Sequence, residues 1–363
     1  MGQIVVLVAG DAGPSNALQL VADRLYKEHV STSHFFGGGQ PFAQRVKSGI
    51  REAIVGATAV LVGLSSSPER AAEELYAVKV AKELGVPYGF FAFTYGEFCR
   101  SWFREAMRDA SFLFVLSEQE VERARKFAPK AEIVPSGNPA WASYFKPAMS
   151  RSEVRAGLGV AEDEKLILVA GSKEPERNAL LFLSAVMAAN RLKGTCRLVL
   201  SRHPGEQSPP VTLYQAVLDR SQVPAEYLTG MKTDDTIAGA DLVITSISSV
   251  GVMGACQRIP VVDFITDIDQ DWWRALSGTR QWEPAWLKAS AEVSSLDGLT
   301  RKMLELLVPD GPAKGMIARQ EQFFRPEQHA GAAGKIVSQL LTYGRQYADE
   351  PRADILGSTE PAH

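Results

Sequence analysis

The chain has 363 residues, 45% of them hydrophobic and 22% charged, with a formal net charge of -3. These proportions describe a soluble globular protein long enough for two domains. The faintly acidic balance gives no global attraction to nucleic acid or to an anionic membrane. The longest apolar stretch, Ala179 to Ala189, falls short of the ~20 residues that a membrane span needs. The first residues enter a strand-like run with no basic region or cleavage site, so no secretory signal is expected. Cys99, Cys196 and Cys256 lie far apart, which predicts a reducing, cytoplasmic setting and no zinc site.

Strand-like and helix-like segments then alternate. The run Ile4 to Gly10 leads into a segment whose Leu18, Val21 and Leu25 have helical spacing. Thr58 to Leu64 leads into Ser65, Ser66, Ser67, Pro68 and Glu69, a capping arrangement for a second helix. "VPYGFFAF", "FLFVLS" and "AEIVPSG" continue the series. Continuous apolar strands of this kind belong to a parallel sheet covered on both faces. From 146 to 163 the chain carries Pro, Gly and dense charge and reads as a linker with one short helix. The alternation restarts with "KLILVAGS", a helix from about Glu176 to Leu192, "CRLVLSRHP", a helix from Thr212 to about Arg220, "AEYLTG", "ADLVITS" and "IPVVDFI". The expected organisation is an N-terminal Rossmann-like domain over 1–145, the linker, a second such domain over 164–330 and a helix over 331–350 packing back. A tail over 351–363 lacks periodicity and is expected to be disordered. The fold class is α/β, two βαβ domains facing each other across a cleft.

The chemistry-bearing residues collect at the predicted strand ends of the second half, where ligands sit in such sheets. "KLILVAG" ends in Ser172 and Lys173, and "CRLVLS" in Arg202 and His203. "ADLVIT" ends in Ser246, Ser248 and Ser249, and "IPVVDFIT" in Asp267, Asp269, Gln270 and Asp271. A helix start offers unpaired N–H groups and the positive dipole end to an anion, and plain N-capping by Ser248 or Ser249 is the competing reading. Hydroxyls and cations suit a diphosphate, and Asp with Gln suits sugar hydroxyls. The mixture fits a nucleotide-sugar.

The stretch "GADLVITSISSVGVMGACQRIPVV" resembles the donor domain of GT-B-fold glycosyltransferases and the related UDP-N-acetylglucosamine 2-epimerases: a Ser/Gly loop, a helix, then Gly-x-Pro before a strand. Asp269 and Gln270 follow Pro260 at the spacing of the Asp-Gln pair that binds the sugar in many of these glycosyltransferases. "SRHPG" is similar to the His-Pro of the epimerase and polymer-synthesis branches, and "SGNPAWASYF" with "VRAGLG" to the superfamily's hinge. Met253 stands where relatives commonly hold the ribose with Glu, and Ile247 where many have Gly. The resemblance implies a metal-independent glycosyltransferase taking a nucleotide-diphosphate-sugar, with UDP favoured and no cofactor. Ser172, Lys173, Ser246, Ser248, Ser249 and Arg202 would meet the phosphates, Asp269 and Gln270 the sugar, and His203, Gly230 and Met231 the nucleotide.

Asp11, at the end of the first strand, is the candidate general base, against a reading in which it only shapes a turn with Gly13 and Pro14. Tyr95 and Glu97 are candidates for an acceptor pocket. The acceptor is a carbohydrate, a small molecule or modified nucleic acid. The basic stretch from Arg100 to Lys126 has interleaved Glu and Asp, which favours a solvated face over a nucleic-acid surface. "TDIDQD" matches a metal motif superficially, but no metal is expected. The alternatives are a nucleotide-sugar 2-epimerase or hydrolase, and a non-catalytic nucleotide-sugar-binding protein.

Overall fold

The structure, a computed structural model, describes residues 2–37, 44–172, 174–192, 196–203, 206, 211–309 and 311–349. Two compact units result. The first runs to Pro139 and regains the chain from Gly331; the second is Ala140–Ala330.

The first unit holds a six-stranded sheet of β1 (Ile4–Ala9), β2 (Ser31–Phe36), β3 (Ala59–Val62), β4 (Tyr88–Phe91), β5 (Phe112–Val115) and β6 (Glu132–Pro135), in the order β2-β1-β3-β4-β5-β6. Every pairing is parallel, with Val5 opposite both Thr32 and Ala59. Val6, Val8, Val60, Val62 and Phe90 are fully buried beneath the flanking helices, each worth about 1.5–3 kcal/mol relative to exposure. The helix Ala332–Asp349 completes this unit: Gln3 donates to the Leu341 carbonyl at 2.9 Å, and the Tyr343 ring lies 4.9 Å from that of Phe112.

The second unit holds β7 (Lys165–Ala170), β8 (Cys196–Ser201), β9 (Ala225–Tyr227), β10 (Leu242–Thr245), β11 (Val261–Phe264) and β12 (Ala291–Val293), again all parallel, in the order β12-β11-β10-β7-β8-β9. Successive residues alternate between two cores. Ile167, Val169 and Ile244 belong to one face, and Leu166, Leu168 and Val243 to the other. That alternation is the period-2 geometry of a sheet covered on both sides.

The fold is the expected α/β pair of doubly wound sheets. Some elements differ from the sequence expectation. β2 and β12 are edge strands whose side chains are half-exposed, so they lack the continuous apolar run that marks the inner strands. Residues 146–163 are not a free linker but part of the second unit. Ser150 and Glu153 form a capping box for the helix Arg151–Gly157, and Val154 is fully buried. Arg151 and Arg155 meet Asp241 at 2.8 and 3.1 Å, which ties this helix to the amino end of β10. Ser65 does not cap: the helix Ala72–Glu83 starts after Ala71 without a side-chain cap. The expected tail at 351–363 lies outside the described residues.

Candidate functional site

In each sheet the strand order reverses at one place, between β1 and β3 in the first unit and between β7 and β10 in the second. Such a switch point leaves a crevice at the carboxyl ends of the strands.

At the second unit's switch point a cavity of about 440 Å³ opens. Ala170 and Gly171 supply its β7 side, Arg202 and His203 follow β8, and Ser248 and Ser249 open the helix Ser249–Cys256 after β10. Met231, Lys232, Thr233 and Asp234 close it from the β9 side. Five predicted residues therefore share one space: Arg202, His203, Met231, Ser248 and Ser249. The two readings of the serines divide between them. Ser248 is the N-cap, accepting the Val250 N–H at 3.2 Å, whereas Ser249 is exposed in the first turn with no cap duty. Ile247 adopts φ 39°, the left-handed region that a β-branched residue resists. The loop is held in that shape from beneath, where the buried Thr245 hydroxyl donates to the Ala170 carbonyl at 2.9 Å.

The cations here are unequal. Arg202 donates to Glu206 at 3.0 Å and lies over the Tyr214 ring, so part of its charge is countered. Lys232, which sequence reasoning missed, makes no hydrogen bond or ion pair among the described residues. Its signal was the same strand-end logic, since it follows Gly230 and Met231. Gly230 takes the left-handed turn at φ 76° and does not line the cavity. Lys173 lies outside the described residues. Met253 is buried in the core, so no carboxylate stands at that position of the helix.

Ser172, Ser246 and Asp269 line a separate cavity of about 130 Å³, with Arg177 and Asn178. Asn178, fully buried, accepts from the Ser172 N–H and donates to the Ser172 carbonyl and to Glu206, tying the end of β7 to Glu206 beyond β8. A Cβ on Gly171 would stand 2.6 Å from the Asn178 amide, so only glycine allows this latch. The Ser246 hydroxyl is buried there without a partner, as is the Arg177 Nε. Asp269 departs from its expected role. Its Oδ2 accepts from the Thr266 N–H at 2.9 Å and hydroxyl at 2.7 Å in a capping box, and its Oδ1 meets the Arg177 guanidinium as an ion pair without hydrogen-bond geometry. Its oxygens are engaged internally. Gln270 lies outside both cavities and donates to Glu292 at 3.1 Å. Asp271 pairs with Arg280 at 2.6 Å, and no cluster of three or more metal-ligating side chains occurs among the described residues.

The first unit's switch point is closed by its own side chains. Asp11 accepts the Ser66 N–H and pairs with Arg70, both at 2.6 Å, and its own N–H donates to Ser65 at 2.9 Å. Burial pushes the Asp11 carboxyl up, but the bonds from Ser66 and Arg70 outweigh it and hold the group below the ordinary value. A carboxylate stabilised in its charged form is a weak proton acceptor, which opposes the general-base role. Glu74 is fully buried, accepting from the Gly10 N–H at 3.2 Å and the Ser65 N–H at 3.1 Å. Burial pushes it up to about 8 despite these bonds and Arg100. Glu97 is not an acceptor-facing group: buried, it accepts the Phe93 N–H and pairs with Arg100 at 2.9 Å. Tyr95 is buried too. Glu73 differs from all of these. It makes no hydrogen bond or ion pair among the described residues, its carboxylate stands over Gly37, and burial raises it above the ordinary carboxylate value.

No protein-family profile matches the chain, and no curated protein sequence does. Solved structures do. The UDP-GlcNAc 2-epimerase of Neisseria meningitidis bound to UDP-GlcNAc is similar at TM-score 0.64 and 12% identity, over 94% of this chain and all of that one. MnaA of S. aureus, in a co-structure with UDP, is similar at TM-score 0.62 and 13% identity, over 96% of this chain and 99% of that one. A glycosyltransferase of Rickettsia africae ESF-5 is similar at TM-score 0.60 and 11% identity, over 94% of this chain and 99% of that one. At such identities the likeness is one of fold, and it establishes the two-domain GT-B fold for this chain.

Proposed function

We propose that the protein is a glycosyltransferase that takes a nucleotide-diphosphate-sugar, with UDP favoured, and transfers the sugar without a metal. The observation that carries this reading is the 440 Å³ cavity at the β7/β10 switch point, where hydroxyls, a helix start and the Lys232 ammonium converge, with Asp234 beside it. The nucleotide lies among His203, Met231 and Thr233. The diphosphate meets Ser248, Ser249, Arg202 and Lys232, with Lys173 following β7. The sugar points toward the smaller cavity, where Ser246 and Arg177 offer buried polar atoms without partners. Breaking the bond from sugar carbon to phosphate oxygen leaves negative charge on the departing diphosphate, and fixed donors placed there lower the barrier. The first unit carries the acceptor.

A second reading, 2-epimerase or hydrolase, is favoured by Glu73, a buried carboxylate of raised pKa with no hydrogen bond or ion pair among the described residues. Thermal shift against UDP, GDP, CDP, ADP and TDP tests donor binding. A diphosphate at 100 times its Kd adds about 2.7 kcal/mol to stability if it binds only the folded state. No shift with any diphosphate, or a shift requiring divalent metal, overturns the metal-free reading. Product analysis with the stabilising nucleotide's sugars then separates transfer from epimer, free sugar or binding without turnover.

A further inference from the structure

The basic stretch after β4 reads as interleaved with acids, but folding sorts its charges. Arg100 is buried and donates to Glu97 and to the Leu64 carbonyl. Arg123 pairs with Glu120, and Arg125 with Glu122. None of these lines the recess of about 370 Å³ formed by the helix Arg104–Met107 and the connection into β6. Arg104, Arg108, Lys126 and Lys130 line it instead, all four exposed. Its single carboxylate, Asp109, accepts from Lys130 at 2.7 Å and Lys82 at 3.3 Å and is thereby neutralised. Arg104, Arg108 and Lys126 have neither hydrogen bond nor ion pair among the described residues. This recess precedes β5 and β6, so it lies at the amino end of the sheet, opposite the rim that carries Asp11 and Glu73.

We propose that this recess is a docking site for a flexible polymer of repeated phosphate groups. Clustered cations without counter-charges repel one another, and a multivalent anion relieves that repulsion while releasing its own counterions. Arginine forks and lysine point charges are the side chains that phosphate oxygens prefer. A second recess of about 440 Å³, lined by Lys82 and Tyr343, shares Asp109 with the first and gives room for more than one phosphate. No large exposed apolar side chain occurs from Arg100 to Ala131, so nothing there would insert into a bilayer. Phe127, the one aromatic side chain lining the first recess, is half-buried against the core rather than exposed as a stacking platform for bases. Both points set a base-free phosphate chain ahead of a membrane or a nucleic acid.

The test is binding of long-chain inorganic polyphosphate to the full chain. Four ion contacts should weaken binding about 50-fold between roughly 50 and 200 mM salt, taking the single-strand coefficient. Arg104→Glu/Arg108→Glu/Lys126→Glu should lose at least about tenfold in affinity and flatten the salt dependence. Lys27→Glu/Arg274→Glu/Arg301→Glu, at exposed positions elsewhere, makes the same charge change and should lose far less. Equal losses in the two variants overturn the site. So does tighter binding of single-stranded DNA of matched charge, or binding to phosphatidylglycerol vesicles with none to polyphosphate. The melting temperature and the nucleoside diphosphate shift, which need the second unit alone, should hold in both variants. If the reversal variant fails to fold, Arg104→Gln/Arg108→Gln/Lys126→Gln must show the same loss in smaller measure.

Discussion

The two units have the same kind of topological switch point and use it in opposite ways. Between β1 and β3, Glu74 fills the space with its own carboxylate and takes the N–H groups of Gly10 and Ser65, while Asp11 takes that of Ser66. Between β7 and β10 one carboxylate, Asp234, lines the cavity beside Lys232 but leaves it open. Ser249 and Lys232 are left facing a cavity, and Thr245 and Asn178 work from below to hold the loops that frame it. The side-chain oxygens of Glu74 do for the first unit's loops what a ligand's oxygens would do for the second's. Topology places the crevice, and side chains decide whether the protein or a ligand satisfies it.

The largest expected effect breaks the closed side. Glu74→Ala leaves two buried backbone donors unpaired and should cost about 3 kcal/mol or more of stability in urea unfolding. Nucleoside diphosphate affinity of the folded protein should hold. A parallel loss of affinity would mean that the first unit's crevice also serves the nucleotide.

The open side is sharpened by separating its two serines. Ser249→Ala should weaken diphosphate binding by about 1.5–3 kcal/mol, since a bond to a charged group is lost, with little change in melting temperature. Ser248→Ala should in addition lower stability by about 1 kcal/mol, because Ser248 caps the helix. Calorimetric titration and thermal unfolding of both variants measure the split. If Ser249→Ala binds as the parent does, the diphosphate is elsewhere.

The two units also share a pH signature. Burial raises Glu74 from an ordinary 4.5 to about 8, and Asp263, buried within β11 and bonded to Trp282 and Ser290, from 3.8 to about 7. The folded state therefore holds these protons more tightly than the unfolded one. Their contribution is complete below the ordinary values and is lost as pH rises through about 7 and about 8. Each lowers stability by at most about 1.4 kcal/mol per pH unit inside its window. Denaturation midpoints should fall from pH 5 to pH 8, and Glu74→Gln should flatten the slope. A midpoint that rises over this range would place both carboxylates as stable anions.

The smallest effect concerns strain away from either crevice. Lys288 takes φ 58° just after the helix Glu283–Trp286 and is exposed, so Lys288→Gly should stabilise by about 1 kcal/mol. Arg258, at φ 63° beyond the helix Ser249–Cys256, should not behave alike. Its guanidinium donates to the carbonyls of Ala255 and Phe324, both at 2.8 Å. Loss of those bonds should make Arg258→Gly destabilising. Thermal unfolding of the two variants gives the signs.

What the sequence by itself determined was the inner architecture and the rim. Runs such as "IVVLVA", "KLILVA" and "LVIT" are apolar on both faces, which only a covered parallel strand requires, and a parallel strand's end next to a helix start marks the rim. Arg202, His203, Ser248 and Ser249 were legible for that reason. Edge strands β2 and β12 were not, because a half-exposed strand has no such run. Pairings at a distance were equally hidden. Nothing local says that Arg177 meets Asp269, that Asn178 reaches Glu206, or that Glu74 reaches back to Gly10. The interleaved charges from Arg100 to Lys130 became a sorted surface in the same way. Burial and backbone hydrogen bonding are written residue by residue along a chain, whereas the partner of a charge is set by which strand ends the crossovers bring side by side. Only the tertiary structure decided which carboxylates close a crevice and which donors stay open.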